Sequence, residues 1–198
     1  MTHAPFDGTV PRLETERLLL TLPGPDRAGA IATFNQTNRA HFAPSVPERR
    51  EAMTPEYWRE RLVQAARDFE ADRALHLFLF ERGAPAGAVV GECAFTEIVR
   101  GPFQAAYLGY KLSQDHEGRG LMTEALTAAI AYAFERMRLH RIMANYRPEN
   151  ERSGRLLRRL GFSVEGYARD YLFLAGAWRD HVLTSLSSGS FDTTKLEP

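Results

Sequence analysis

Apolar and polar positions along the chain recur with two periods, one strand-like and one helical. A short apolar run over residues 18–22 reads as a first strand, and after Pro23, Gly24 and Pro25 a helix-like stretch follows over 26–36. Thr54 ahead of Pro55 supplies an N-cap and a first-turn proline, and Tyr57, Leu62, Ala65 and Ala66 support a second helix to about residue 72. Three β-rich runs come next, over 74–81, 88–98 and 103–112, with Leu75, Leu77 and Leu79 on one face of the first. Arg82-Gly83-Ala84-Pro85 and Arg100-Gly101-Pro102 are turn chemistry between them, so the three form an antiparallel meander. Over 121–137, Met122, Leu126, Ala129, Ile130, Ala133, Phe134 and Met137 recur every three or four positions, the most clearly marked helix of the chain. Residues 141–146 read as a strand, 150–160 as a helix closed by Gly161, and 162–174 and 177–186 as strands joined at Ala175 and Gly176. The sum is one mixed α/β domain over 11–186 without internal repeats, with 1–10 and 187–198 expected as loosely ordered tails.

Composition removes several function classes. Hydrophobic residues are 44% of the 198 positions, enough to bury a core without metals or disulfides. The single cysteine, Cys93, excludes an internal disulfide and a cysteine-based zinc cluster, and suits the reducing cytoplasm, the expected compartment. Residues 1–8 have neither a basic nor an apolar leader region, and no run reaches the roughly 18 apolar residues of a membrane span, so neither secretion nor insertion is expected. Lys plus Arg (25) balances Asp plus Glu (25), which leaves no positive excess to neutralise phosphates and argues against free DNA or RNA as the main partner. His41, His76, His116, His140 and His181 show no metal-ligand spacing, so no metal is expected. Cys93 lies in a β run with no paired base in view, which favours a buried structural thiol over a nucleophile.

Two segments hold the candidate chemistry. In the first, the strand ending at Lys111 and Leu112 runs into a loop with Gly118 and Gly120 that opens directly into the 121–137 helix. Bare backbone N–H groups at a helix start, with glycines removing side-chain bulk, suit a pyrophosphate; the alternative is an ordinary glycine turn. No Gly-Lys-Ser/Thr follows, which excludes a P-loop, and Gly118-Arg119-Gly120 lacks the third glycine of a dinucleotide fingerprint. In the second segment Asn150 sits where a helix begins and Ser153 falls one turn in, facing the preceding strand end. Each taken alone is also explained as a helix N-cap and a helix-surface serine.

Together the two segments resemble the GNAT acetyltransferase superfamily. The glycine loop followed by Leu121-Met122-Thr123-Glu124-Ala125 looks like its coenzyme A signature, and Pro148, Asn150, Ser153, Leu156, Leu157, Leu160, Gly161, Phe162, Glu165 and Gly166 match its second half. More narrowly, Val99-Arg100-Gly101, Leu108-Gly109-Tyr110, Gly120-Leu121-Met122, the run from Glu124, the run His140 to Tyr146 and the run Trp178 to Thr184 resemble the ribosomal-protein-alanine N-acetyltransferases of the RimJ type, over roughly 11–186. The resemblance implies a central, mostly antiparallel sheet of about seven strands, splayed between the fourth and fifth and flanked by about four helices. It implies acetyl-CoA as cosubstrate, held by Lys111, Leu112, Glu117, Gly118, Arg119, Gly120, Leu121, Met122, Asn150 and Ser153. Asp115 stands where the signature has Arg or Gln, so its carboxylate is expected outward or bonded to a neighbour.

The implied reaction is direct transfer of acetyl to the N-terminal α-amino group of a protein, a small-subunit ribosomal protein beginning with Ala or Ser, by a monomer or homodimer. Ser153 is the implied donor to the departing thiolate, with Tyr146 and Tyr167 as rivals. The family's base position falls on Leu172, which cannot serve; Asp170 and then Glu92 are the substitutes, with a water chain as a third route. Arg155, Arg158 and Arg159 are either a wet helix face or a contact for the adenosine 3′-phosphate. Two other readings share these residues: an acetyltransferase for a small-molecule amine such as a polyamine, aminoglycoside or amino acid, and a non-catalytic acyl-CoA-binding module associated with the ribosome.

Overall fold

The computed structural model describes residues 10–44 and 54–191. Most of both expected tails, 1–9 and 192–198, lies outside the described residues. Among the described residues the alternating runs form an eight-stranded sheet in the order β1-β2-β3-β4-β5-β6-β8-β7. Its first half is β1 (Arg12–Glu14), β2 (Leu18–Thr21), β3 (Leu75–Glu81), β4 (Val89–Val99) and β5 (Ala105–Leu112), antiparallel to one another in turn. Its second half is β6 (Arg141–Met143), β7 (Ser163–Leu174) and β8 (Ala177–Ser187), again antiparallel. The halves meet where β5 and β6 run parallel, through the pairs Ala105↔Arg141, Ala106↔Ile142 and Tyr107↔Met143. Beyond Tyr107 the strands part, so residues 108–112 keep β4 on one side and have no ladder partner on the other. This is the splay the resemblance implies. The strand beyond the expected seven is β1, whose polar Arg12 and Glu14 gave it no periodic signal.

Helices α1 (Ala28–Thr37), α2 (Arg39–Phe42), α3 (Pro55–Glu70), α4 (Leu121–Glu135) and α5 (Glu151–Arg159) pack on the sheet. The helix expected over 26–36 starts later because Pro25–Arg27 tightens into a 3-10 turn. The α3 start is as read: the Tyr57 N–H donates to Thr54 Oγ1 at 3.2 Å, and Pro55 occupies the first turn. α4 buries Leu121, Met122, Ala125, Leu126, Ala129, Ile130 and Ala133 against a sheet face containing Leu75, Leu77, Leu79, Cys93 and Phe95. Each such large apolar side chain contributes about 1.5–3 kcal/mol on burial. Strand 141–146 is shorter than expected: β6 ends at Met143, and Tyr146 rejoins the sheet through an isolated bridge to Val182.

The chain after residue 186 is tied down before the description ends. Ser187 pairs with Arg141, the Ser188 N–H donates to the His140 carbonyl at 2.8 Å, and the Phe191 ring stacks edge-on against His140 at 5.1 Å.

Two features set α5 in place. Asn150 caps it by accepting the Ser153 N–H on Oδ1 at 3.1 Å. Gly154 lies flat on the Tyr146 ring, where a β-carbon would come within 2.9 Å of ring atoms. A glycine there lets the first turn of α5 approach the end of β6 more closely than any other residue allows.

Candidate active site

A cleft of about 1110 Å³ opens beside the splay. The end of β5 supplies Tyr110, Lys111 and Leu112; the loop and first turn of α4 supply Glu117, Gly118, Gly120, Leu121 and Met122; Asn150, Ser153 and Leu156 close the opposite wall. His41, Phe42 and Pro44 line it from the α2 side. A smaller groove of about 490 Å³ is lined by side chains of α3 alone, so no second element brings chemistry to it.

The glycine loop opens the first turn of α4 onto the cleft. Gly118 and Gly120 have φ of +73° and +76°, a left-handed conformation that costs a residue with a β-carbon about 1–2 kcal/mol. Gly120 is the N-cap of α4 and supplies no side chain to its first turn. Leu121, Met122 and Thr123 line the cleft at this turn, whose N–H groups form the positive end of the helix. Arg17 braces the loop from outside, donating from Nη1 to the Arg119 carbonyl at 2.9 Å.

At the far end, Ser153 Oγ and the Tyr110 hydroxyl lie 2.5 Å apart, bridging α5 and β5 across the splay. Burial is the main cause that pushes the Tyr110 phenol up to about 12, while the serine contact pulls against it. Each carboxylate that lines the cleft has a cation beside it. Glu117 pairs with Arg152 and lies 3.2 Å from His41; Glu149 lies 3.4 Å from Arg147, whose Nη1 donates to the Pro44 carbonyl. Glu124 accepts from the Thr15 hydroxyl at 2.5 Å and from Arg17.

Nine of the ten cosubstrate residues expected from the sequence line this cleft, and Arg119 does not. Lys111 turns its ammonium away from Ser153, because alternation along β5 puts Tyr110 and Lys111 on opposite faces. Lys111 Nζ donates to Asn35 Oδ1 at 2.8 Å, lies 3.2 Å from Glu92 and sits above the Phe34 and Phe42 rings. Asp115 is exposed on the Gln114–His116 turn, outside the cleft lining.

The structure does not bring the two expected bases to the cleft. Asp170 is exposed at φ +47° in an irregular stretch of β7, with its N–H donating to Asp180 Oδ1. Glu92 faces Lys111 on the α1 side of the sheet. Tyr167 is exposed and donates to Asp180 Oδ2 at 2.6 Å, and Tyr146 is the platform under Gly154. Cys93 is fully buried, and that burial pushes its thiol far above the usual range. Arg155 and Arg159 line the cleft with Arg152, whereas Arg158 does not. Among the described residues no group of three or more metal-ligating side chains is present.

Sequence inspection did not single out the Tyr110–Ser153 contact or the Arg17 brace. Alternation would have put Tyr110 on the α5 side, but the partner lies 43 positions away. For Arg17 there was no local signal, since its partner Glu124 is 107 residues distant.

The acetyltransferase (GNAT) domain family matches residues 17–163. The uS5-alanine N-acetyltransferase of Escherichia coli (strain K12) is 44% identical over 178 residues, 89% of this chain and 91% of that protein. Among solved structures, the ribosomal-protein-S5-alanine acetyltransferase of Vibrio fischeri superposes with a TM-score of 0.87 at 35% identity, covering 92% of this chain and 99% of that one. Mycobacterium smegmatis RimJ in complex with CoA-disulfide superposes with a TM-score of 0.83 at 25% identity, covering 94% and 90%.

Proposed function

The chain belongs to the GNAT acetyltransferase family, and on that premise we propose that it moves acetyl from acetyl-CoA directly to the N-terminal α-amino group of a small-subunit ribosomal protein beginning with Ala or Ser. The observation behind the acceptor is the 44% identity to the uS5-alanine enzyme, which extends over most of both chains. The enzyme acts in the cytoplasm, consistent with its lone cysteine; among the described residues no helix is long and apolar enough to cross a membrane.

The cleft fits the cosubstrate along its length. The unpaired edge of β5 over 108–112 presents backbone N–H and C=O groups to the pantetheine amides as a neighbouring strand would. Gly118, Gly120 and the first turn of α4, through Leu121 and Met122, receive the pyrophosphate, with Asn150 beside the pantetheine. Ser153 at the other end meets the sulfur.

The acceptor must lose a proton before it attacks the thioester carbon. At pH 7 roughly a tenth of an α-amine with pKa about 7.7–8.0 is already neutral, against well under a thousandth of a lysine amine at about 10.4. A weak base is therefore enough. Glu117 and Glu124 are held by arginines, Glu149 is exposed 3.4 Å from Arg147, and Asp170 and Glu92 lie outside the cleft lining, so in this reading water takes the proton. Attack forms the C–N bond, and collapse breaks the C–S bond with Ser153 positioned to hydrogen-bond the thiolate.

Thiol release from acetyl-CoA with a panel of amines tests this. Turnover confined to unblocked Ala- or Ser-starting peptides supports it. Turnover only with spermidine or an aminoglycoside moves the acceptor to small molecules, and binding without turnover on any amine leaves a non-catalytic acyl-CoA-binding module.

A further inference from the structure

The Tyr110–Ser153 contact bridges β5 and α5 across the splay, at the place assigned above to the leaving sulfur, and its polarity decides what the serine can do. Both residues line the cleft, and at 2.5 Å one hydroxyl donates to the other. A serine hydroxyl has one proton and two lone pairs. If the serine donates to the phenol, it has nothing left for the sulfur; if the phenol donates, the serine O–H is free. A phenol is the stronger acid and the better donor, which favours the second arrangement. The serine is held for it on its backbone side: its N–H is committed to Asn150 Oδ1 at 3.1 Å, and Gly154 rests on Tyr146.

Building on the acetyl transfer set out above, we infer that Tyr110 is a positioning residue whose phenol donates to Ser153 Oγ and turns the serine O–H toward the leaving sulfur, so that the pair stabilises the thiolate by hydrogen bonding without giving up a proton. Proton balance supports the last clause. A thiol has a pKa near 8.5. Burial, opposed by the Ser153 contact and aided by Tyr146, pushes the Tyr110 phenol up to about 12. Passing the phenol proton through the serine to the sulfur is thus uphill by roughly three orders of magnitude. The acceptor nitrogen, cationic after attack, is the proton source instead: its proton leaves to water, the C–S electron pair stays on sulfur, and the thiolate takes a proton from solvent after release.

The test needs no acceptor: CoA bound to the full chain is titrated through the ultraviolet absorbance of its thiolate. A hydrogen bond to a charged group is worth about 1.5–3 kcal/mol, so the bound thiol should ionise at least tenfold more readily than free CoA. Ser153→Ala should abolish that shift, Tyr110→Phe should remove most of it, and the double variant should match Ser153→Ala. Under turnover, Tyr110→Phe should lower kcat about tenfold while KM for acetyl-CoA stays within about twofold. Replacing Tyr110 with 3-fluorotyrosine keeps the packing and strengthens the donor, and should lower the thiol pKa further. An unshifted bound thiol in the parent chain, a Tyr110→Phe variant with unchanged thiol pKa and kcat, or additive effects in the double variant would overturn the inference. A shifted thiol together with no acetylation of any peptide would sink the acceptor assignment and leave this inference standing.

Discussion

Arg17 grips Glu124 with both its backbone and its guanidinium: the Arg17 N–H donates to Oε1 at 2.8 Å and Nε donates to Oε2 at 2.7 Å. The same guanidinium reaches the Arg119 carbonyl through Nη1. The turn between β1 and β2 thus fixes both the glycine loop and the first turn of α4, and so the N–H groups assigned to the pyrophosphate.

Arg17→Ala removes the guanidinium part of that brace, leaving the backbone N–H on Glu124, without entering the cleft lining. A charge-assisted hydrogen bond at a partly exposed site is worth about 1 kcal/mol, so KM for acetyl-CoA should rise about fivefold while kcat changes less than about twofold. Steady-state kinetics with acetyl-CoA varied at saturating acceptor would show it, and a fall in kcat with KM unmoved would refute it.

Glu124 makes the same brace sensitive to acid. Burial raises its carboxyl, but hydrogen bonds from Thr15 and from the Arg17 backbone and guanidinium outweigh burial and hold it below the usual range. A folded pKa below the unfolded value of about 4.3 gives stability that is present above that pH and lost as pH falls through the folded value. Glu124→Gln should therefore melt below the parent at pH 7, with the gap closing under about pH 4. Melting curves of both chains from pH 7 to pH 3 would reveal the convergence, and a gap that stays constant with pH would count against it.

Asp170 is the residue to substitute for testing proton loss to water. It is exposed, its own N–H is satisfied by Asp180, and it does not line the cleft. Asp170→Asn should keep kcat/KM for the peptide within about twofold across pH 6–9, since surface substitutions of this kind change little. A loss of a hundredfold or more on the acid limb would restore it as the base.

Local chemistry made much of the fold legible. The apolar spacing of Met122, Leu126, Ala129 and Ala133 reports the buried face of α4, and Thr54 before Pro55 reports the start of α3, because helix periodicity and capping act within a turn or two. The glycine loop was legible for the same reason: left-handed φ at Gly118 and Gly120 is a property of each residue. β1 was missed because three residues with polar ends have no period to read, and β6 was read too long because its end is set by where it leaves β5.

The site divides along the same line. The family, the glycine loop and the placing of Asn150 and Ser153 at the start of a helix were legible in the chain, since those depend on residues close together in it. The three-dimensional fold sets which side chains converge. It joined Ser153 to Tyr110 and Arg17 to Glu124, turned Lys111 toward Glu92 and Asn35, and left Asp170 outside. Such partners are fixed by the register of β4 on β5, by the point at which β5 and β6 separate and by the seating of α4 on β2, and contacts across 43 to 107 residues leave no periodic trace in either segment alone.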